Sequence, residues 1–115
     1  MKQIQQITDS PWQEMTLILD DGSSFALELY YMPMQLGWFI RNLTYNDFIV
    51  NNIRICNTPN ILHQFRNLIP FGLACMSVEN REPTLSEDFN SENSKLFILT
   101  EGEVDEFEEF LSGQV

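Results

Sequence analysis

Basic side chains are scarce in this sequence. Lys2, Arg41, Arg54, Arg66, Arg81 and Lys95 are the only six, against 17 carboxylates, and the formal net charge is −11. So few dispersed cations cannot line a groove that tracks a nucleic acid strand. The net field repels phosphates and anionic lipid head groups, so neither nucleic acid nor a membrane is expected as a partner. Histidine is rarer still. The lone His63 stands on a candidate helix and would need a nucleophile and an orienting partner to act as a general base, and it cannot complete a zinc site with Cys56 and Cys75. The two cysteines form no CxxC pair and read as reduced, apolar strand residues. No apolar run approaches the ~18–20 residues that span a bilayer. Met1 to Gln6 offers no apolar stretch of signal-peptide type, so a cytoplasmic site of synthesis and assembly is expected.

Glycine-based chemistry is missing as well. The five glycines are scattered at turns, with no P-loop, no Gly-x-Gly-x-x-Gly and no Gly-x-Ser-x-Gly segment. Asp88-Phe89-Asn90-Ser91-Glu92 sets oxygen ligands at alternate positions, but outside the longer loop with a central Gly that calcium sites use. No catalytic residue, metal or cofactor is expected, and an enzyme has no side-chain constellation to rest on.

What is present is an apolar alternating pattern. Hydrophobic residues make up 43% of 115 positions, with nine Phe, two Trp and three Tyr, enough for one core and a single domain over 1–115. Gln3 to Ile7 reads as a short strand. Met15, Leu17 and Leu19 alternate with Glu14, Thr16 and Ile18, then Asp20-Asp21-Gly22 turns the chain. The partner strand, Ser24 to Tyr31, sets Phe25, Leu27, Leu29 and Tyr31 on one face and Ser24, Ala26, Glu28 and Tyr30 on the other. A second hairpin follows, Trp38 to Tyr45 and Phe48 to Cys56. Strict alternation there places Leu43 with Phe39 and Arg41, and Phe48 and Val50 with Asn52 and Arg54. Asn60 is placed to cap a short helix through Arg66, with Ile61, Leu62, Phe65 and Leu68 as its apolar stripe. Gly72 to Val78 and Lys95 to Thr100 complete the strands, separated by a polar acidic loop over 80–94. The fold class is mainly β: a small antiparallel barrel or sandwich with one or two short helices.

The last third holds most of the charge: residues 79–115 carry eleven acidic and two basic groups, a balance of −9, against −2 for residues 1–78. Thr100-Glu101-Gly102-Glu103 fits a capping box that opens an acidic helix from Glu103 to about Leu111. Its Val104, Phe107, Phe110 and Leu111 are candidates for packing on a partner, or on the chain's own core. The loop is expected to meet a partner through Leu85, Asp88 and Phe89, and Trp12 is expected to be exposed or lodged against one. Trp38 reads instead as a core anchor.

The order of several segments resembles the small baseplate plug family of cyanophage contractile tails. The resemblance lies in Leu29-Tyr30-Tyr31-Met32-Pro33, Gly37-Trp38-Phe39-Ile40 and Ile53-Arg54-Ile55. It continues in Pro70-Phe71-Gly72-Leu73, Glu82-Pro83, Ser86-Glu87-Asp88-Phe89 and Lys95-Leu96-Phe97-Ile98-Leu99. It covers roughly residues 24–100, and the helix from Glu103 to Leu111 departs from it. The resemblance implies a structural virion protein at the end of a tail tube, near the hub. It further implies a homo-oligomeric ring, trimer or hexamer, that meets tube, hub and baseplate proteins. A different class also fits the charge: a small acidic inhibitor or DNA mimic that binds a basic host protein.

Overall fold

The structure is a computed structural model. It describes residues 2–58, 60–65, 68–78 and 81–112, with side chains as far as Glu106. Within these residues the chain forms a two-layer antiparallel sandwich with one helix on an outer face. The first layer is the meander β2 (Trp12–Ile18), β3 (Ser24–Met32), β4 (Gly37–Tyr45) and β5 (Phe48–Arg54), in that spatial order. The second is β1 (Lys2–Gln3), β7 (Ser94–Thr100) and β6 (Phe71–Ser77), with β7 in the middle. The sheets do not close into a barrel.

The β2–β3 hairpin follows directly from its sequence. Gly22 takes φ +90 in the Asp-Gly turn, where its amide donates to the Leu19 carbonyl. Met15, Leu17, Phe25, Leu27, Leu29 and Tyr31 then face the second sheet. The second hairpin does not keep strict alternation. Leu29 pairs with Ile40 but Glu28 pairs with Asn42, so Arg41 is an extra residue in β4. Asn52 stands opposite it in β5 with a left-handed φ of 58. Each strand therefore changes face at one residue. Trp38 and Ile40 are joined in the core by Leu43 and Tyr45, and Ile55 and Ile53 by Val50 and Phe48. Strict alternation had placed Leu43, Val50 and Phe48 on the other side; the bulge corrects all three.

The core lies between the sheets. Phe25 and Phe71 stack across it with ring centroids 4.5 Å apart, and Tyr45 meets Phe71 edge-on at 5.4 Å. Cys75 is part of this core and burial pushes its thiol up to about 12; Cys56, just past β5, is also raised, chiefly by burial, and both are free. The expected strand over 3–7 shrinks to Lys2–Gln3, with Ile4 and Ile7 buried in the core.

The expected helix from Asn60 to Arg66 is instead a 3-10 turn at His63–Phe65, and Arg66 lies outside the described residues. Its cap explains the difference. The Asn60 side-chain oxygen accepts from the amides of both Leu62 and Leu73, which ties the segment to β6 before a helical ladder can grow. Leu68, assigned to the apolar stripe, is exposed.

The helix α1 (Glu101–Ser112) starts two residues earlier than expected and packs on the far side of the three-stranded sheet. Val104 there contacts Ala74 and Leu99, which alternate with the core-facing Leu73, Cys75, Leu96 and Ile98. Replacing Phe71 by Ala is expected to cost ~3–5 kcal/mol, because it empties the seam between the sheets. Leu68→Ala, on an exposed site, is expected to stay within about 0.5 kcal/mol. Urea unfolding of both variants checks the contrast.

Candidate functional site

The most distinctive surface is the outer face of the four-stranded sheet. Strand register lines up one row across it: Trp12 opposite Tyr30, Tyr30 opposite Phe39, Phe39 opposite Arg54. The rings stand 6.1 Å apart for Trp12–Tyr30 and 5.8 Å for Tyr30–Phe39. The Arg41 guanidinium lies 4.4 Å from the Trp12 ring centroid and 5.7 Å from that of Tyr30, while Arg54 lies 5.6 Å from Phe39. Gly37 makes room for Arg54: a Cβ there would come within 2.8 Å of the guanidinium. Arg54 also donates to the carbonyls of Gln35 and Leu36, which fixes it against the β3–β4 turn.

Arg41 has a second role on the same face. Glu14 and Glu28 stand directly opposite in the β2–β3 ladder, and like charges so placed repel. The bulge brings the Arg41 guanidinium to 3.5 Å from Glu28, which offsets that repulsion. Trp12 remains 52% exposed. Aromatic rings and arginines are the residue types enriched at protein interfaces, and this face gathers three rings and two guanidinium groups.

The other expected site residues divide into three groups. Leu85 is exposed and remains available to a partner. Asp88 and Phe89 are both buried inside the chain's own fold. Asp88 accepts from the Leu85 amide, closing a series of turns, and Phe89 meets Trp38 edge-on at 5.7 Å. The Trp38 indole N–H donates to the Leu85 carbonyl and the Tyr31 hydroxyl to that of Thr84. The described part of the polar 80–94 segment is therefore fastened to the core by its two apolar-flanked carbonyls. Val104 belongs to the chain's own packing, as described above. The side chains of Phe107, Phe110 and Leu111 lie outside the described residues.

Sequence reading missed Tyr30, Phe39, Arg41 and Arg54 as members of one site. A signal was present: Trp12, Tyr30 and Phe39 put an outward aromatic on each of three neighbouring strands, more than a solvated face needs. Joining them required the register. Among the described residues, no group of three or more His, Cys, Asp and Glu could hold a metal ion, and no helix is long and apolar enough to cross a membrane. A recess of about 430 Å³ is bordered by Lys2, Ile18, Asp20, Phe71, Thr100 and Glu101.

The fold is a small two-layer antiparallel sandwich with an aromatic–arginine row on one outer face. The chain belongs to the family described as cyanophage baseplate Pam3 plug gp18, whose family model matches residues 1–101. It is a structural protein of the phage baseplate, and its place is the virion tail. No curated protein matches the chain. The match ends where α1 begins, so the helix is the part of this chain beyond the shared family pattern.

The capping box that launches this helix is formed as expected. The Thr100 amide donates to Glu103 and the Glu103 amide to the Thr100 hydroxyl, at 3.1 and 3.2 Å. Burial pushes the Glu103 carboxyl up, but its hydrogen bonds, the Thr100 amide among them, outweigh this and hold it below its ordinary 4.5. A depressed carboxyl stabilises the fold fully above its unfolded value, and that contribution is lost as pH falls through the lower folded value. Glu103→Ala is expected to cost about 1 kcal/mol at neutral pH, and the difference from the parent should vanish in strong acid. Thermal melts of both proteins across that range check it; a difference that persists unchanged in acid would contradict it.

Proposed function

We propose that the chain is a non-enzymatic building block that lines or plugs the tail-tube and hub region as a homo-oligomeric ring, trimeric or hexameric, held by neighbouring tube, hub and baseplate proteins. The observation that carries the reading is the family match over residues 1–101. The charge supports it physically. A passage for DNA must not bind phosphate, and a ring of chains each carrying −11 would let a genome slide past without adhesion. The sandwich supports it as well, because stiff sheets hold ring geometry better than loops. The inhibitor reading receives no support from the family match. The working surfaces on this account are the outer row at Trp12, the exposed Leu85 and the C-terminal helix with Phe107, Phe110 and Leu111.

The test is the copy number of the chain in purified virions, by quantitative mass spectrometry against the tube and hub proteins. A number matching a threefold or sixfold ring is expected. Absence from the particle would overturn the structural reading, and a single copy would overturn the ring.

A further inference from the structure

The aromatic–arginine row and the acidic helix lie on opposite outer faces of the same chain. The row covers the four-stranded sheet, while Val104 seats α1 on the far face of the three-stranded sheet, with the whole core between them. The helix carries Glu101, Glu103, Asp105, Glu106, Glu108 and Glu109 with no Lys or Arg. Asp105 and Glu106 are exposed. Arg41 and Arg54, two of the chain's six cations, stand together on the row. One face thus offers two guanidinium groups among rings, with Glu28 and Glu14 beside Arg41, and the helix on the other offers carboxylates.

We propose that the row of Trp12, Tyr30 and Phe39, with Arg41 and Arg54, receives the acidic C-terminal helix of a second copy of this chain. The inference rests on the ring reading above and names the contact that builds the ring. Three observations on this chain select a second copy. The two complementary surfaces cannot meet within one chain, because the sandwich separates them. Copies with a charge of −11 repel one another; on this face Arg41 is shared with Glu28, whereas Arg54 is held by carbonyls, and its charge is the local place where that repulsion weakens. The helix sequence also places Phe107, Phe110 and Leu111 among its acids, the chemistry that rings interleaved with guanidinium groups accommodate. A contact between two different faces is head-to-tail, and head-to-tail contacts close into rings when the rotation permits.

The test uses the full-length chain in two variants. The face variant is Trp12→Ala with Arg41→Gln; the helix variant is Asp105→Lys with Glu106→Lys. Analytical ultracentrifugation at low ionic strength should show self-association of the parent weakened at least about tenfold in each variant. Mixed in equal amounts, the variants should form a heterodimer that grows no further. The intact helix of one fits the intact face of the other, and the remaining two surfaces are disabled. Circular dichroism checks folding. Trp12→Ala alone, at a half-exposed edge position, serves if the double change unfolds the chain.

An oligomer unchanged by both variants would overturn this contact and leave the ring standing. Variants that weaken association but give no heterodimer when mixed would also overturn it. A parent that stays monomeric up to its solubility limit would overturn the second copy as occupant. In that case the copy number in virions still decides the ring separately, and an acidic segment of another baseplate protein becomes the occupant to test.

Discussion

The fold turns on one extra residue in each of two neighbouring strands. If the backbone ran on regularly through Arg41 and Asn52, the alternation begun by Trp38 and Ile40 would carry Asn42 and Thr44 into the core and send Leu43 and Tyr45 to the surface. Val50 and Phe48 would follow them outward. Each large apolar side chain contributes roughly 1.5–3 kcal/mol when buried, and unpaired polar groups cost a similar amount. Four such reversals are comparable with a typical domain stability of about 5–15 kcal/mol. The paired bulge is therefore a condition of folding. Asn52 accepts a left-handed backbone more readily than most residues do, which is one reason it can stand there.

The same bulge makes the outer face. It turns Arg41 over the rings of Trp12 and Tyr30 and beside Glu28, while register alone aligns the aromatic row. Core and surface thus share a cause. The row is also stiff, since Phe39 and Tyr30 sit in central strands and Arg54 is bound to the β3–β4 turn. A rigid aromatic face loses little entropy on binding, which is what a component of a permanent assembly needs. On the other side of the core, Trp38 and Tyr31 fasten the carbonyls of Leu85 and Thr84, so the polar segment keeps one shape beside the sandwich.

The sequence was most legible where local chemistry decides. Asp21-Gly22 announced the first hairpin, Thr100 and Glu103 announced the start of the helix, and period-two runs announced an antiparallel β protein. The order of segments around Gly37-Trp38 and Pro70-Phe71 announced the family. It was least legible where long-range contacts decide. Asp88 and Phe89 look like polar-loop residues until Trp38 is seen to meet Phe89 edge-on and to hold the Leu85 carbonyl, 47 positions along the chain. The Asn60 segment looks helical until its side chain is seen to bind Leu73. The bulge was hidden because a break in alternation has no fixed local signature, although Trp38, Ile40, Leu43 and Tyr45 carry it as spacings of two, three and two.

The most direct test of this account is a cryo-EM map of the assembled baseplate at side-chain resolution. The account predicts a ring of these sandwiches at the tube end, with Trp12, Tyr30 and Phe39 of each copy covered by a neighbouring chain. Single, separated copies with that row facing open solvent would contradict it.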